Sequence, residues 1–227
     1  MRILFVHHFP LDELPVGPWV DRWAQVLVAE GHEVRALVVD ERRRAGDRIR
    51  VRRVVCSGVE AAADLPYALP RFGSLPPAGG QMTFVGLSDD KIVAYRDALR
   101  HHLDAEVDGF DPHVIHAQYI WIAGQLALET GVPYVLNAWG PELLDCAADP
   151  RYRRWADQAA ENAGQILVPD RPLLEQISVM FETQPGALSV MAGDLLLDPP
   201  ASSPVAEAKA SAQLIALYER ARGSRFA

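Results

Sequence analysis

The sequence predicts an α/β fold, a doubly wound, Rossmann-like and mainly parallel sheet, and three observations predict it. Short runs that are apolar at every residue recur along the chain, as strands covered on both faces do. Stretches with helical spacing of apolar residues separate them. A complete strand–helix–strand unit fits within the first forty residues.

The elements follow in order. Arg2-Ile-Leu-Phe-Val6 reads as a buried strand ended by His7-His8-Phe9-Pro10. A helix is predicted over 18–30, with Trp19, Trp23, Val26 and Leu27 at helical spacing, Pro18 in its first turn and Gly31 as its stop. Val34–Val39 is the next buried strand. Residues 48–55 alternate at first, so they read as a strand with one wetter face. Seven arginines lie between Arg42 and Arg53. They read as a solvated edge that discourages pairing, with a site for phosphate or an acidic ligand as the alternative. Residues 56–88 show no sustained period and form a long loop, a kind that is usually mobile or functional. Ser88, with two acids after it, caps a helix from Asp89 to about Val107. Strands at 113–117, 134–138, 165–168 and 187–191 alternate with helices at 120–130, 150–163 and 171–181. After Asp198 a Pro- and Ser-rich stretch reads as a linker, and Val205–Arg222 as a last helix with an apolar face of Leu214, Ile215, Leu217 and Tyr218.

Composition narrows the function. With 227 residues, 49% of them hydrophobic, the chain can bury one large core. No apolar run approaches the roughly 20 residues of a spanning helix, and the N-terminal apolar run is too short for a secretory signal. A cytoplasmic location is therefore the expectation. The net charge of −8 argues against a nucleic-acid partner. Cys56 and Cys146 stand far apart, so neither a disulfide framework nor a metal site is expected.

Ligands of open α/β sheets bind at the carboxyl ends of the strands. That rule selects His7 and His8 after the first strand. It also selects His116, Gln118 and Tyr119 around 113–118, and Asn137, Trp139, Gly140 and Glu142 after 134–138. Together they predict one binding cleft, although a single histidine at a strand end is more often structural. No GxGxxG, phosphate loop or G-x-S-x-G is present, so no cofactor is expected. His101 and His102 lie mid-helix and point in different directions, which favours a surface role.

Six motifs in order resemble the N-terminal half of GT-B glycosyltransferases of family 4, from residue 1 to about 198. The opening Met1–Pro10 resembles the family's first strand and loop, and Leu27–Val34 its "L-x-x-x-G-H-E-V". Phe110–Gln118 with Ala123-Gly124 is similar to "x-D-V-I-H-A-H…A-G", and Gly131–Glu142 to "G-I-P-x-V-x-x-x-x-G-x-D". Ala163–Pro169 and Leu188–Asp194 resemble the two later strand motifs. In the family a second domain holds the nucleotide-sugar. Here that domain does not follow, and the last helix is similar to the one that crosses back onto the first domain. The expected organisation is an acceptor-side domain over 1–198, a linker over 199–205 and a docking helix over 206–227.

The resemblance implies roles and also departs from the pattern. His116 and His7 are the candidates for catalysis. His8, Gly17, Gln118, Tyr119, Asn137, Trp139, Gly140 and Glu142 are the candidates for ligand binding. The family's Gly-Gly pair near the first helix is Val16-Gly17-Pro18, and proline lacks an amide donor. The second His of "H-A-H" is Gln118, which cannot take a proton near neutral pH. The expected function is the acceptor-binding half of a glycosyltransferase, needing a donor-domain partner chain. The alternatives are a catalytically silent accessory binding protein, and a small repurposed enzyme using a histidine as acid or base. With Trp19, Trp23, Trp121 and Trp139 near the rim, an apolar surface is expected there, and with it a homodimer or a dedicated partner.

Overall fold

A computed structural model describes residues 1–58, 62–73, 81–191 and 204–223, with side chains of the last segment from Ala208 onward. Seven strands, β1 (Arg2–His7), β2 (Glu33–Asp40), β3 (Arg50–Val55), β4 (Val114–Gln118), β5 (Tyr134–Asn137), β6 (Gln165–Val168) and β7 (Leu188–Val190), form one sheet. Its order is β3-β2-β1-β4-β5-β6-β7, and every neighbouring pair is parallel. The order reverses between β1 and β4, which places the topological switch there. β1, β4, β5 and β6 carry almost wholly buried residues, as a sheet covered on both faces requires.

Among the described residues seven helices cover the sheet: α1 (Val16–Ala29), α2 (Asp89–Phe110), α3 (Ile122–Thr130), α4 (Pro141–Ala148), α5 (Pro150–Asn162), α6 (Arg171–Met180) and α7 (Pro204–Gly223). Sequence spacing missed α4, which is too short to show a period; its one local signal is Pro141 at the first helical position. Ser88 does stand at the N-cap of α2, but its side chain makes no capping bond. Asp89 and Asp90 in the first turn favour the helix N-terminus instead. Asp149 and Asp170 do cap α5 and α6 through their carboxylates.

Arg44, Arg52 and Arg53 of the β3 edge are engaged by carboxylates. Arg44 and Arg53 converge on the fully buried Asp40, while Arg35 and Arg52 hold the buried Glu106 of α2. That pairing stitches β2, β3 and α2 together.

The last helix docks on the sheet. Leu214, Leu217, Tyr218 and Ala221 are buried, whereas Ile215 is only partly so. Ala221 packs so closely on Gly164 that a Cβ there would lie 2.6 Å from its backbone. Most of the linker expected at 199–205, and the last four residues of the helix expected at 206–227, lie outside the described residues.

Candidate functional site

The carboxyl ends of β1, β4 and β5 do bring the selected residues together. They are not, however, an open rim: His7, His8, His116, Gln118, Asn137 and Glu142 are each 0% exposed. The long 56–88 segment supplies part of the cover. Phe72 packs on Tyr119 with ring centroids 4.5 Å apart, and Phe84 packs on Trp121 at 4.7 Å. Trp19, Trp23 and Trp121 are also buried, so of the four tryptophans expected to make an apolar surface at the rim only Trp139 remains half-buried.

The histidines divide into roles. His8 spans to α2 and α3: its Nδ1 meets the Tyr95 hydroxyl at 2.9 Å and its Nε2 accepts from the Ala123 amide at 3.3 Å. His116 has both nitrogens engaged. Its Nε2 lies 2.8 Å from Asn137 Oδ1, an acceptor, so Nε2 carries the proton and Nδ1 accepts from the Tyr218 hydroxyl at 2.8 Å. Burial pushes His116 down to about 4, against a smaller opposing effect of Asn137. It is held neutral. His7 differs, because neither ring nitrogen has a hydrogen-bond partner. It stacks on Tyr119 at 5.7 Å, and burial, then the neighbouring His8, push it down to about 3.

Gly17 has no room for a side chain. A Cβ there would lie 2.3 Å from the Pro10 carbonyl oxygen, so only glycine lets α1 begin against the β1 loop. Tyr119, just past β4, has φ +76°, a left-handed conformation uncommon outside glycine. Its amide donates to the Asn137 carbonyl at 2.8 Å, which holds the turn.

Trp139 and Gly140 turn the chain from β5 into α4. The Trp139 indole N–H donates to Gln118 Oε1 at 3.0 Å, and its backbone N–H donates to Glu142 Oε1 at 2.8 Å. Gly140 has φ +105°, which favours glycine. Asp145, one turn along α4 and not singled out by sequence, accepts from the Gly73 amide at 2.9 Å. Glu142 Oε2, Asp145 Oδ2 and Gln118 Nε2 have no hydrogen-bond partner. Burial pushes Glu142 up to about 7 and Asp145 to about 6; amide hydrogen bonds oppose both shifts. Glu142 is thus the group here poised to exchange a proton near neutral pH. The two thiols are not: burial raises both Cys56 and Cys146.

Beside this cluster, an open cavity of about 530 Å³ lies between the ends of β1–β3 and the start of α1. Its charged lining includes Asp12, Asp40, Arg44 and Arg53, which are paired among themselves. Among the described residues no helix is long and apolar enough to cross a membrane.

Known structures share this fold. A form of sucrose-phosphate synthase from Thermosynechococcus elongatus, designated 27_220_406_426, matches with TM-score 0.54 and 15% identity, over 97% of this chain and 98% of that one. The longer sucrose-phosphate synthase chain matches with TM-score 0.56 and 13% identity, over 94% of this chain and 52% of that one. The apo lipopolysaccharide outer core galactosyltransferase WaaB matches with TM-score 0.52 and 8% identity, over 84% and 45%. The chain therefore spans about half the length of those two longer chains. At such identities the likeness establishes the fold, that of one GT-B domain. No curated protein matches the sequence. A family model described as "Glycosyl transferase 4-like domain" matches residues 16–191, and the chain belongs to that family.

Proposed function

We propose that this chain is the acceptor-side half of a glycosyltransferase, completed by a separate donor-binding chain. The observation that carries the reading is the set of buried polar atoms without partners at the sheet's carboxyl edge: both nitrogens of His7, Gln118 Nε2, Glu142 Oε2 and Asp145 Oδ2. Native proteins pair nearly all such atoms. Here they gather beside the topological switch, where ligands of this sheet type bind. Together they offer amide and carboxyl groups next to the Tyr119 ring, a combination suited to sugar hydroxyls. Two further facts favour a divided enzyme. Only twelve residues separate Met191 from Pro204, too few to contain a second domain. The helix after them packs back onto this one.

A second reading, an accessory binding protein without catalysis, is favoured by the engagement of His8 and His116 in structural hydrogen bonds. The third, a small enzyme acting through histidine, has less support, since of His7, His8 and His116 only His7 keeps free ring nitrogens and it is held neutral.

Saturation-transfer NMR with a panel of unactivated monosaccharides and cyclitols tests the acceptor reading. Sugar signals should be saturated by the wild-type chain and weakened severalfold by Gln118→Ala and Trp139→Ala. His101→Ala, exposed on α2, should change nothing. A panel without a single saturated sugar would contradict it.

A further inference from the structure

Glu142 and Asp145 stand three residues apart on α4, a spacing that puts two side chains on one helix face. Both are fully buried, and each uses only one carboxylate oxygen. Glu142 Oε1 holds the Trp139 amide and Asp145 Oδ1 holds the Gly73 amide. The other oxygen of each has no partner. Independently, the buried Gln118 amide has an unused donor, Nε2, and is tied to Glu142 through Trp139, which bonds to both. With Glu142 ionised, as it is above pH 7, two acceptors three residues apart on one helix face and one donor match two adjacent hydroxyls, each giving one hydrogen and at least one receiving one.

We propose that Glu142 and Asp145, with Gln118, form a recognition site for a vicinal diol, the adjacent hydroxyl pair of a sugar or cyclitol ring. This names the ligand chemistry of the acceptor site and rests on that reading. Gly73 is the present partner of Asp145, and Phe72 beside it covers Tyr119. A ring entering the site therefore shifts Phe72 and Gly73 and lies against Tyr119. Asp145 is then a specificity residue rather than a core carboxylate.

The amide variants separate ligand recognition from architecture. In Glu142→Gln and Asp145→Asn one oxygen still accepts from Trp139 or Gly73, so the internal bonds survive, while the unpartnered acceptor becomes a donor. The probes, used at pH 8 where Glu142 is ionised, are myo-inositol, D-glucose and cyclohexanol, followed by saturation transfer and by the Gly73 amide cross-peak in a nitrogen–proton spectrum. Myo-inositol and glucose should move the Gly73 cross-peak, and cyclohexanol should not. Glu142→Gln and Asp145→Asn should each weaken binding at least tenfold with the circular dichroism spectrum unchanged. Leu144→Ala, an exposed neighbour on the same helix, should bind as the wild type does. Two results would overturn the diol site while leaving the acceptor reading standing. One is wild-type affinity in both amide variants while Gln118→Ala and Trp139→Ala lose binding. The other is equal binding of cyclohexanol. A Gly73 amide unmoved by any probe would mean that only water meets these oxygens, and it too would overturn the proposal.

Discussion

The hydroxyl of Tyr218 donates to Nδ1 of His116 across 2.8 Å, joining the last helix to the central strand β4 over 102 residues of sequence. His116 passes the connection to Asn137 on β5, whose side-chain amide in turn lies 3.7 Å from the Met191 sulfur. A helix that could have been a loose appendage is thereby part of the floor beneath the candidate site.

Tyr218→Phe should destabilise the fold. It leaves a fully buried imidazole nitrogen without a partner, which costs about 1–3 kcal/mol. Urea denaturation followed by circular dichroism should show a lower midpoint with an unchanged slope. An unchanged midpoint would mean that the hydrogen bond contributes nothing to docking α7.

Gly17→Ala should be worse than the same change at Gly58. At Gly17 the added carbon meets backbone at 2.3 and 2.8 Å, whereas at Gly58 nothing lies within 4 Å. The first should cost about 1–3 kcal/mol, as overpacking does, and reduce sugar binding by moving the β1–α1 loop. Thermal melts of the two variants decide it; equal melting temperatures would contradict the close approach.

Stability should fall as the solution is acidified below about pH 6.5. His7 and His8 sit at about 3 and His116 at about 4 in the folded chain, against 6.5 ordinarily. Below 6.5 the unfolded chain takes up protons that the folded chain refuses, so this stabilisation is complete above 6.5 and lost towards 3 to 4. His32 and His113, also lowered chiefly by burial, act with the same sign. Asp145, raised to about 6, has the opposite sign, and so has Glu142. Its folded value of about 7 exceeds its ordinary 4.5, so its contribution is full below 4.5 and lost as the pH rises to 7. Glu142→Gln removes that opposing proton and should steepen the acid slope between pH 5 and 6.5 by about 1 kcal/mol per pH unit. Denaturant titrations at these pH values check it, and equal slopes would contradict a protonated Glu142.

Much of the fold was legible because burial on both faces leaves a plain mark. Ile3–Val6 and Val135–Leu136 are apolar residue after residue, and the glycines at 31 and 131 mark helix ends with positive φ. The strand-end rule also picked out His7, Gln118 and Glu142, which stand at the carboxyl ends of β1, β4 and β5. Three things were hidden. The eight residues of α4 are too few for a period, so Asp145 on its inner face went unnoticed. Phe72 and Phe84 come from a segment without periodicity, so nothing local signalled that they would cover the strand ends. The engagement of His116 by Tyr218 depends on a partner 102 residues away, and a strand-end histidine looks the same with or without it.

The central claim, an acceptor half that depends on another chain for its donor, is tested most directly by calorimetric titration of this chain with a panel of nucleotide-sugars. Mass spectrometry of the same mixtures with sugar acceptors reports any product. Holding the donor with its anomeric carbon towards the acceptor supplies a large part of such catalysis. Pro18 offers no amide to a donor phosphate and Gln118 cannot serve as a base. The account predicts no micromolar donor binding and no transfer or sustained hydrolysis by the chain alone. Micromolar affinity for a nucleotide-sugar, with turnover by this chain alone, would contradict it.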